Sequence, residues 1–176
     1  MRKEIKIAIS GRSGCGNTTV SKMTADSLSL RFINFTFRNL AQEKGLDFKT
    51  VLELAASDDS WDREIDSRQV ALARAGGGCV LGSRLAIWML EDADLKVYLN
   101  AGPQTRADRI VKREGGAIEE VSEFTAERDR QDHSRYLRIY GIDTDNYSFA
   151  DLVIETDNIS PQEIVDRIVK KALTIE

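Results

Sequence analysis

The chain contains few of the residues on which several common kinds of active site depend. Among its 176 residues there are one histidine, two cysteines and two prolines. Because His133 is the only histidine, a histidine-based metal site or a Ser-His-Asp triad has little support. Cys15 and Cys79 are the only cysteines, and they lack the spacing of a metal site. Two such cysteines suit a reducing compartment, so we expect a cytoplasmic protein.

Long apolar runs and a net positive charge are absent as well. No apolar run approaches the roughly 18 residues of a membrane-spanning helix, so no membrane partner is expected. A charged start followed by a short apolar strand predicts no signal peptide. The net charge is −4, and acidic residues lie among the basic ones in every basic cluster, which argues against nucleic-acid binding. Phosphate ligands would have to be bound by local geometry and local arginines.

The pattern of apolar segments indicates one α/β domain spanning residues 1–176. Short apolar runs predict buried strands, and longer segments with helical spacing lie between them. Strands that alternate with helices predict a mostly parallel sheet with helices on both faces, a three-layer arrangement. Ligands of such sheets bind beyond the carboxyl ends of the strands. The predicted strands are residues 5–9, 79–81, 95–99 and 152–154.

Two segments between the predicted strands are rich in charge. Residues 36–75 show three helical patterns, separated at Gly45 and at residues 57–60, and end at a run of three glycines. Residues 117–147 are too polar to be core and are predicted to form a mobile helical flap. The core is then predicted to consist of residues 1–35, 76–116 and 148–176.

A glycine-rich turn follows the first predicted strand and opens a helix. Residues 11–18 fit the pattern G-x-x-x-x-G-x-T, whose backbone N–H groups turn around phosphate at a helix N-terminus. The Thr18 hydroxyl is placed to bind Mg²⁺. A glycine-rich turn without a ligand, or a loop that binds nucleotide without catalysis, are the alternatives. The residues predicted to bind ATP are Gly11, Arg12, Ser13, Gly14, Cys15, Gly16, Asn17, Thr18 and Thr19.

Asn17 occupies the place at which this pattern usually carries lysine. The replacement removes a full positive charge from the β- and γ-phosphates, so another cation must stabilise the transferring phosphoryl group. If arginines simply supply the missing charge, we expect Asn17→Lys to be tolerated or mildly activating.

Arginines are the candidates for that cation. A guanidinium offers paired donors in a plane, and phosphoryl transfer depends mainly on positioning and charge stabilisation. Arg84 follows the second predicted strand at the edge where ligands bind, which favours a functional role. For the other arginines, solvated helix faces paired with nearby acidic residues are the favoured interpretation. These others are Arg38, Arg106, Arg109, Arg113, Arg128, Arg130, Arg135 and Arg138.

Together these residues resemble the short, archaeal-type cytidylate kinases, P-loop nucleoside monophosphate (NMP) kinases, over nearly the whole chain. The glycine loop alone would indicate only a nucleotide, but the combination is specific. The matching stretches are Ser10-Gly11 to Thr18-Thr19, Phe37-Arg38, Asp62–Asp66 with Arg68-Gln69, Arg84–Ala86 with Trp88-Met89, Ala93–Val97, Arg106-Ala107 with Arg109-Ile110 and Lys112–Gly115, Arg135-Tyr136, Ile139–Asp143 and Asp151–Ile154.

The resemblance implies a three-layer P-loop kinase fold with a five-stranded sheet. Residues 36–75 would be the NMP-binding insert and residues 117–147 the lid. The resemblance implies that the γ-phosphoryl of ATP is transferred to CMP or dCMP in the presence of Mg²⁺. Nucleotides are then the expected partners, and we expect a monomer. Arg109 would flank the adenine and Arg113 would face the ATP phosphates, while Arg84, Arg128 and Arg135 would be catalytic. The residues implied for CMP are Arg38, Asp62, Asp66, Arg68, Gln69, Arg84, Tyr136 and Asp143.

The chain departs from the family pattern at two places. The family's Leu-Glu-Gly-Arg becomes Leu81-Gly82-Ser83-Arg84, which removes a carboxylate that could orient Mg²⁺ waters. In the lid, the family pattern Arg-x-x-Ser-Glu corresponds to Arg128-Asp129-Arg130-Gln131-Asp132, with Gln and Asp in place of Ser and Glu. Two alternatives therefore stay open: a related kinase with another acceptor, such as UMP, AMP or another small molecule, and a nucleotide-binding regulator without transferase activity.

Overall fold

A computed structural model describes residues 4–175 and contains one sheet of five strands. The strands lie in the order β2-β3-β1-β4-β5, and every neighbouring pair is parallel. The predicted parallel five-stranded sheet is therefore confirmed. β2 was not located from the sequence, because it is only three residues long and buries only Ile33. The strands are β1 Lys6–Gly11, β2 Arg31–Ile33, β3 Cys79–Gly82, β4 Leu95–Asn100 and β5 Leu152–Glu155.

Helices connect the strands, as parallel pairing requires. The three helices predicted within residues 36–75 are confirmed, whereas the short α5 was not predicted. Among the described residues, no helix is long and apolar enough to cross a membrane. The helices are α1 Asn17–Leu28, α2 Phe37–Lys44, α3 Phe48–Ser57, α4 Ser60–Arg74, α5 Ala86–Met89, α6 Pro103–Glu114, α7 Ile118–Tyr140 and α8 Pro161–Ala172.

Both faces of the sheet are buried, because alternate residues of β1 enter different clusters. Ile7 and Ile9 pack in one cluster with residues of α1 and α8, while Ala8 packs in a second with residues of α5. α8 begins at Pro161 after the Ser160 cap and turns one apolar face inward. Burying an aliphatic side chain contributes roughly 1.5–3 kcal/mol, so these clusters carry most of the stability. The predicted three-layer arrangement is thus confirmed.

The strand register brings the ends of β1, β3 and β4 to one edge. Ile9 pairs with Gly82, and Gly11 pairs with Leu99. The glycine loop after β1 and the segment after β3, which contains Arg84, therefore begin side by side. This is the edge at which parallel α/β sheets bind their ligands.

Candidate active site

The loop between β1 and α1 has the geometry of an anion site. Gly14 and Gly16 have φ of 84° and 95°, values that favour glycine. A Cβ on Gly14 would lie 2.7 Å from the backbone oxygen of Arg106, so no side chain fits there. α1 begins at Asn17, and its first turn therefore presents N–H groups without helical partners. Thr18 and Thr19 are exposed in that turn.

Arg106 and Arg109 of α6 hold this loop from the side. Arg106 is 3% exposed and donates to the backbone oxygen of Ser13 at 3.1 Å and to Asp129 at 2.7 Å. Arg109 donates to the Cys15 oxygen at 3.3 Å and to the Thr156 hydroxyl at 3.0 Å, which ties the loop to the end of β5. Burial raises the pKa of Cys15 to about 11, so its thiol is neutral and serves packing.

Asn17 turns its side chain toward the strands. Its Nδ2 donates to the backbone oxygens of Ile9 and Ser83, both at 3.0 Å. Its Oδ1 accepts from the Ser21 hydroxyl at 2.8 Å. The amide is thus fully hydrogen-bonded within the fold.

Two arginines from distant parts of the chain share one carboxylate at the sheet edge. Asp132 of α7 accepts from Arg84, which follows β3, and from Arg135 Nη2 at 3.0 Å. Arg135 Nε also lies 3.4 Å from Asp62 Oδ1. A small cavity beside these groups is lined by the glycine loop and by Tyr136, which is 7% exposed. Two guanidinium groups on one carboxylate indicate a site suited to a phosphate.

Arg128 has no carboxylate within 4.0 Å among residues 4–175. Burial and the neighbouring Arg84 lower the pKa of its guanidinium. A cavity of about 240 Å³ beside it is also lined by Ser13 of the loop, Arg113 and Thr125. Arg113 itself pairs with Glu114 and is exposed. The unpaired Arg128 is therefore available for an anion bound at the loop.

Three polar residues of α4 lie buried at i, i+4 and i+7. Asp62 and Gln69 are each 5% exposed, and Asp62 Oδ2 and Gln69 Oε1 have no hydrogen-bond partner. Asp66 between them accepts from the Tyr140 hydroxyl at 2.7 Å. Burial raises the pKa of Asp62, and it raises the pKa of Asp66 to about 6, although the Tyr140 hydrogen bond opposes this. Buried acceptors without donors are rare and costly.

The other residues implied for CMP have different surroundings. The Arg38 guanidinium lies 4.1 Å from the centroid of the Phe48 ring. Arg68 donates to both carboxylate oxygens of Glu43, at 2.9 and 2.7 Å. Asp143 follows α7, where its Oδ1 accepts from the Asp145 backbone N–H at 2.9 Å. These three residues contact neither the glycine loop nor Arg84 in the hydrogen bonds and ion pairs of the described chain.

Comparison with known proteins identifies the family. The model of the cytidylate kinase-like family matches residues 6–158. The chain belongs to this family.

Named relatives agree with that assignment. Cytidylate kinase 2 of Borreliella afzelii is 48% identical over 168 residues, covering 93% of this chain and 94% of that protein. The cytidylate kinase of Pyrococcus horikoshii is 40% identical over 174 residues, covering 98% of this chain and 90% of that protein. The predicted archaeal-type cytidylate kinase relationship is therefore confirmed.

Solved structures show the same fold at low sequence identity. Shikimate kinase from Bacteroides thetaiotaomicron has a TM-score of 0.63 at 16% identity, covering 96% of this chain and 98% of that one. Deoxyadenosine kinase from M. mycoides has a TM-score of 0.60 at 16% identity, covering 97% of this chain and 100% of that one. The predicted P-loop kinase fold of the family is confirmed.

Sequence reasoning missed the carboxylates that hold the arginines of this family member. Asp132 stood out only as a departure in the lid pattern, and Asp129 only as one of several acidic neighbours. Arg12 pairs with Asp145, a residue that no pattern singled out. Their signal was weak because α7 is rich in charge throughout, so its inward-facing acids could not be told from its solvated ones.

Proposed function

We propose that the protein transfers the γ-phosphoryl of ATP to CMP or dCMP, giving ADP and CDP or dCDP. Its membership of the cytidylate kinase-like family and its named relatives support this activity. The observation that carries the proposal is the convergence of Arg84 and Arg135 on Asp132 beside the glycine loop. That cluster would place the acceptor phosphate beside a donor phosphate held by the loop.

The donor would lie on the glycine loop. The N–H groups of the loop and of the first turn of α1 would hold the β- and γ-phosphates. Arg128 would approach the transferring group, because it lines one cavity with Ser13 of the loop and forms no ion pair among residues 4–175. Arg109 would flank the adenine, and Arg113 would lie toward the phosphates.

Magnesium would be bound by the Thr18 hydroxyl together with the donor phosphates. This residue is exposed in the first turn of α1, whereas Gly82 at the end of β3 offers no carboxylate. A site of one hydroxyl, phosphate oxygens and water suits Mg²⁺, which retains several waters in nucleotide sites. The ion supplies charge neutralisation across the β- and γ-phosphates.

The acceptor phosphate would replace the Asp132 carboxylate between Arg84 and Arg135. The carboxylate accepts one hydrogen bond from each guanidinium, and a phosphate, with more acceptor oxygens, can accept paired hydrogen bonds from both. It is already anionic near neutral pH, so attack on the γ-phosphorus needs no strong general base. The arginines then serve to align the two phosphates and to stabilise the charge between them.

The buried row on α4 supports cytosine as the base. Asp62 Oδ2 and Gln69 Oε1 are acceptors without donors, and Asp66 is an acceptor in its ionised form. Cytosine has an amino group with two N–H donors, where uracil has a carbonyl oxygen. A carbonyl against the Asp62 carboxylate would leave buried acceptors unsatisfied, at about 1–3 kcal/mol each, whereas the Gln69 amide can present either its oxygen or its NH2 group.

A coupled assay with ATP and Mg²⁺ tests this function on a panel of CMP, dCMP, UMP, AMP and GMP. The proposal expects ADP release that depends on CMP or dCMP and is much weaker with UMP. Release with another member of the panel would indicate a kinase with a different acceptor. ATP binding without release on any of them would favour the nucleotide-binding regulator.

A further inference from the structure

Asn17 lies where the loop pattern usually carries a lysine. Its side chain, however, turns toward the strands and is hydrogen-bonded there. Each polar atom of its amide is engaged, with Nδ2 donating to Ile9 and Ser83 and Oδ1 accepting from Ser21. A lysine has three donors and no acceptor, so it could not accept from the Ser21 hydroxyl. Asn17 is therefore more than a neutral substitute.

The two backbone oxygens that Asn17 binds belong to adjacent strand ends. Ile9 lies in β1, and Ser83 directly follows β3. The Ile9 oxygen also accepts from the Ser83 backbone N–H at 3.2 Å. Asn17 thus holds the Ser83 peptide from the loop side, at the residue immediately before Arg84.

Gly82 is coupled to the same contacts. A Cβ on Gly82 would lie 2.5 Å from Ser21 Oγ, 2.7 Å from Ser21 Cβ and 3.2 Å from Asn17 Oδ1. The Asn17–Ser21 pair therefore occupies the space that any side chain at position 82 would need. In this structure the Asn17–Ser21 contact and a side chain at position 82 are therefore sterically incompatible.

We infer that Asn17 is a positioning residue that fixes Arg84 relative to the phosphate loop, with Ser21 and Gly82 as the contacts that hold it. The inference rests on the proposed function, in which Arg84 binds the acceptor phosphate. Arginines supply the positive charge, and Asn17 supplies the alignment between donor and acceptor sites. On this inference Asn17→Lys is expected to lower activity, whereas it would be tolerated or mildly activating if arginines simply supplied the missing charge.

Asn17→Ala tests the inference by kinetics. We expect kcat/KM for CMP to fall about 10- to 100-fold, because displacing a phosphate ligand by about 1 Å has effects of that size. The dissociation constant for ATP with Mg²⁺, measured by calorimetry, should change less than about threefold. The matched control is Asn100→Ala, since Asn100 likewise bridges two strand ends through Glu155 but lies away from Arg84. The control should keep both constants within about twofold.

The inference would be overturned if Asn17→Ala affected ATP binding and left the use of CMP unchanged. Weakened ATP binding with an unchanged KM for CMP would make Asn17 a donor-site ligand that replaces the lysine. Equal losses in Asn17→Ala and Asn100→Ala would reduce its role to general stability.

Steric coupling and crystallography provide tests of different kinds. Gly82→Ala should lower kcat/KM for CMP, and adding Ser21→Gly to that variant should restore part of the loss. Additive effects of the two substitutions would show that the side chains at positions 21 and 82 do not compete for the same space. Crystal structures of the wild type and Asn17→Ala should differ in the position of the Ser83–Arg84 peptide. That readout needs no activity. If the Ser83–Arg84 peptide has the same position in both crystal structures, only the inference about Asn17 is contradicted. If the wild type is inactive with CMP, only the proposed function is contradicted.

Discussion

At the scale of single residues, the buried carboxylates of α4 have the most unusual environments in the site. Asp62 and Asp66 lie at most 9% exposed, and burial raises the pKa of both. Neither has a guanidinium in hydrogen-bonding geometry, although Arg135 lies close to Asp62. Buried charge without full pairing is costly, so these residues reduce stability in the free protein. Such a cost is expected where a ligand will complete the hydrogen bonds.

Asp66→Asn should change how stability depends on pH. The pKa of Asp66 is raised from 3.8 to about 6, so the folded state binds its proton more tightly than the unfolded state. Its stabilising contribution is therefore complete below the unfolded value and is lost as pH rises through about 6. Relative to Asp66→Asn, the wild type should lose about 1.4 kcal/mol of unfolding free energy between pH 5 and pH 8. Urea unfolding of both proteins measures this, and a difference independent of pH would contradict it.

Asp62→Asn should change the choice of base. A carboxylate only accepts hydrogen bonds, whereas an asparagine amide can also donate to a carbonyl oxygen. We expect the ratio of kcat/KM for CMP to that for UMP to fall about tenfold or more, mainly through weaker use of CMP. Asp59→Asn is the control, because Asp59 immediately precedes the same helix but pairs with Arg138 at the surface. Equal losses on CMP and UMP would show that Asp62 only positions Arg135.

At the scale of elements, α7 combines a solvated face with a face that closes the site. Tyr136 and Ile139 are buried along its inner side, and Asp132 and Arg135 make their ion pairs there. Glu127 and Arg130 pair with each other on the exposed side. The helix begins at Ile118 and ends at Tyr140, so it has the length for both tasks. Its role as a moving lid remains a prediction.

Asp132→Asn should favour binding of the acceptor. In the free protein Asp132 accepts hydrogen bonds from Arg84 and Arg135, so an incoming phosphate must displace its carboxylate. Neutralising it removes a competing partner worth about 1 kcal/mol, and the KM for CMP should fall about fivefold. Glu127→Gln on the outer side of α7 should leave the KM unchanged. A raised KM in Asp132→Asn would mean that the carboxylate holds the arginines in position for phosphate.

The sequence predicted most elements but few of the contacts between them. Four strands and the helices of residues 36–75 follow from apolar period and from glycine and proline positions, which are local signals. β2 and α5 are too short to show a period. The pairs Arg84–Asp132, Asn17–Ser83 and Arg109–Thr156 join residues that are 48, 66 and 47 positions apart. No spacing along the chain contains that information, so these contacts required the structure.

At the scale of the whole molecule, the parallel sheet determines where the chemistry can occur. Its strand order places β1 between β3 and β4, and both faces are covered by apolar clusters. Only the carboxyl edge brings the glycine loop, Arg84 and α7 together. The sequence predicted this edge because the loop follows a strand and opens a helix. It could not predict that α7 would meet the edge with its carboxylates already paired to arginine.

The measurement that tests the central claim most directly follows the labelled γ-phosphoryl of ATP into product. Wild-type protein with CMP and Mg²⁺ should form labelled CDP. Arg84→Ala should form it at least about 100-fold more slowly while still binding ATP, because Arg84 is proposed to hold the acceptor phosphate. No labelled CDP from the wild type, or an unchanged rate in Arg84→Ala, would contradict the account.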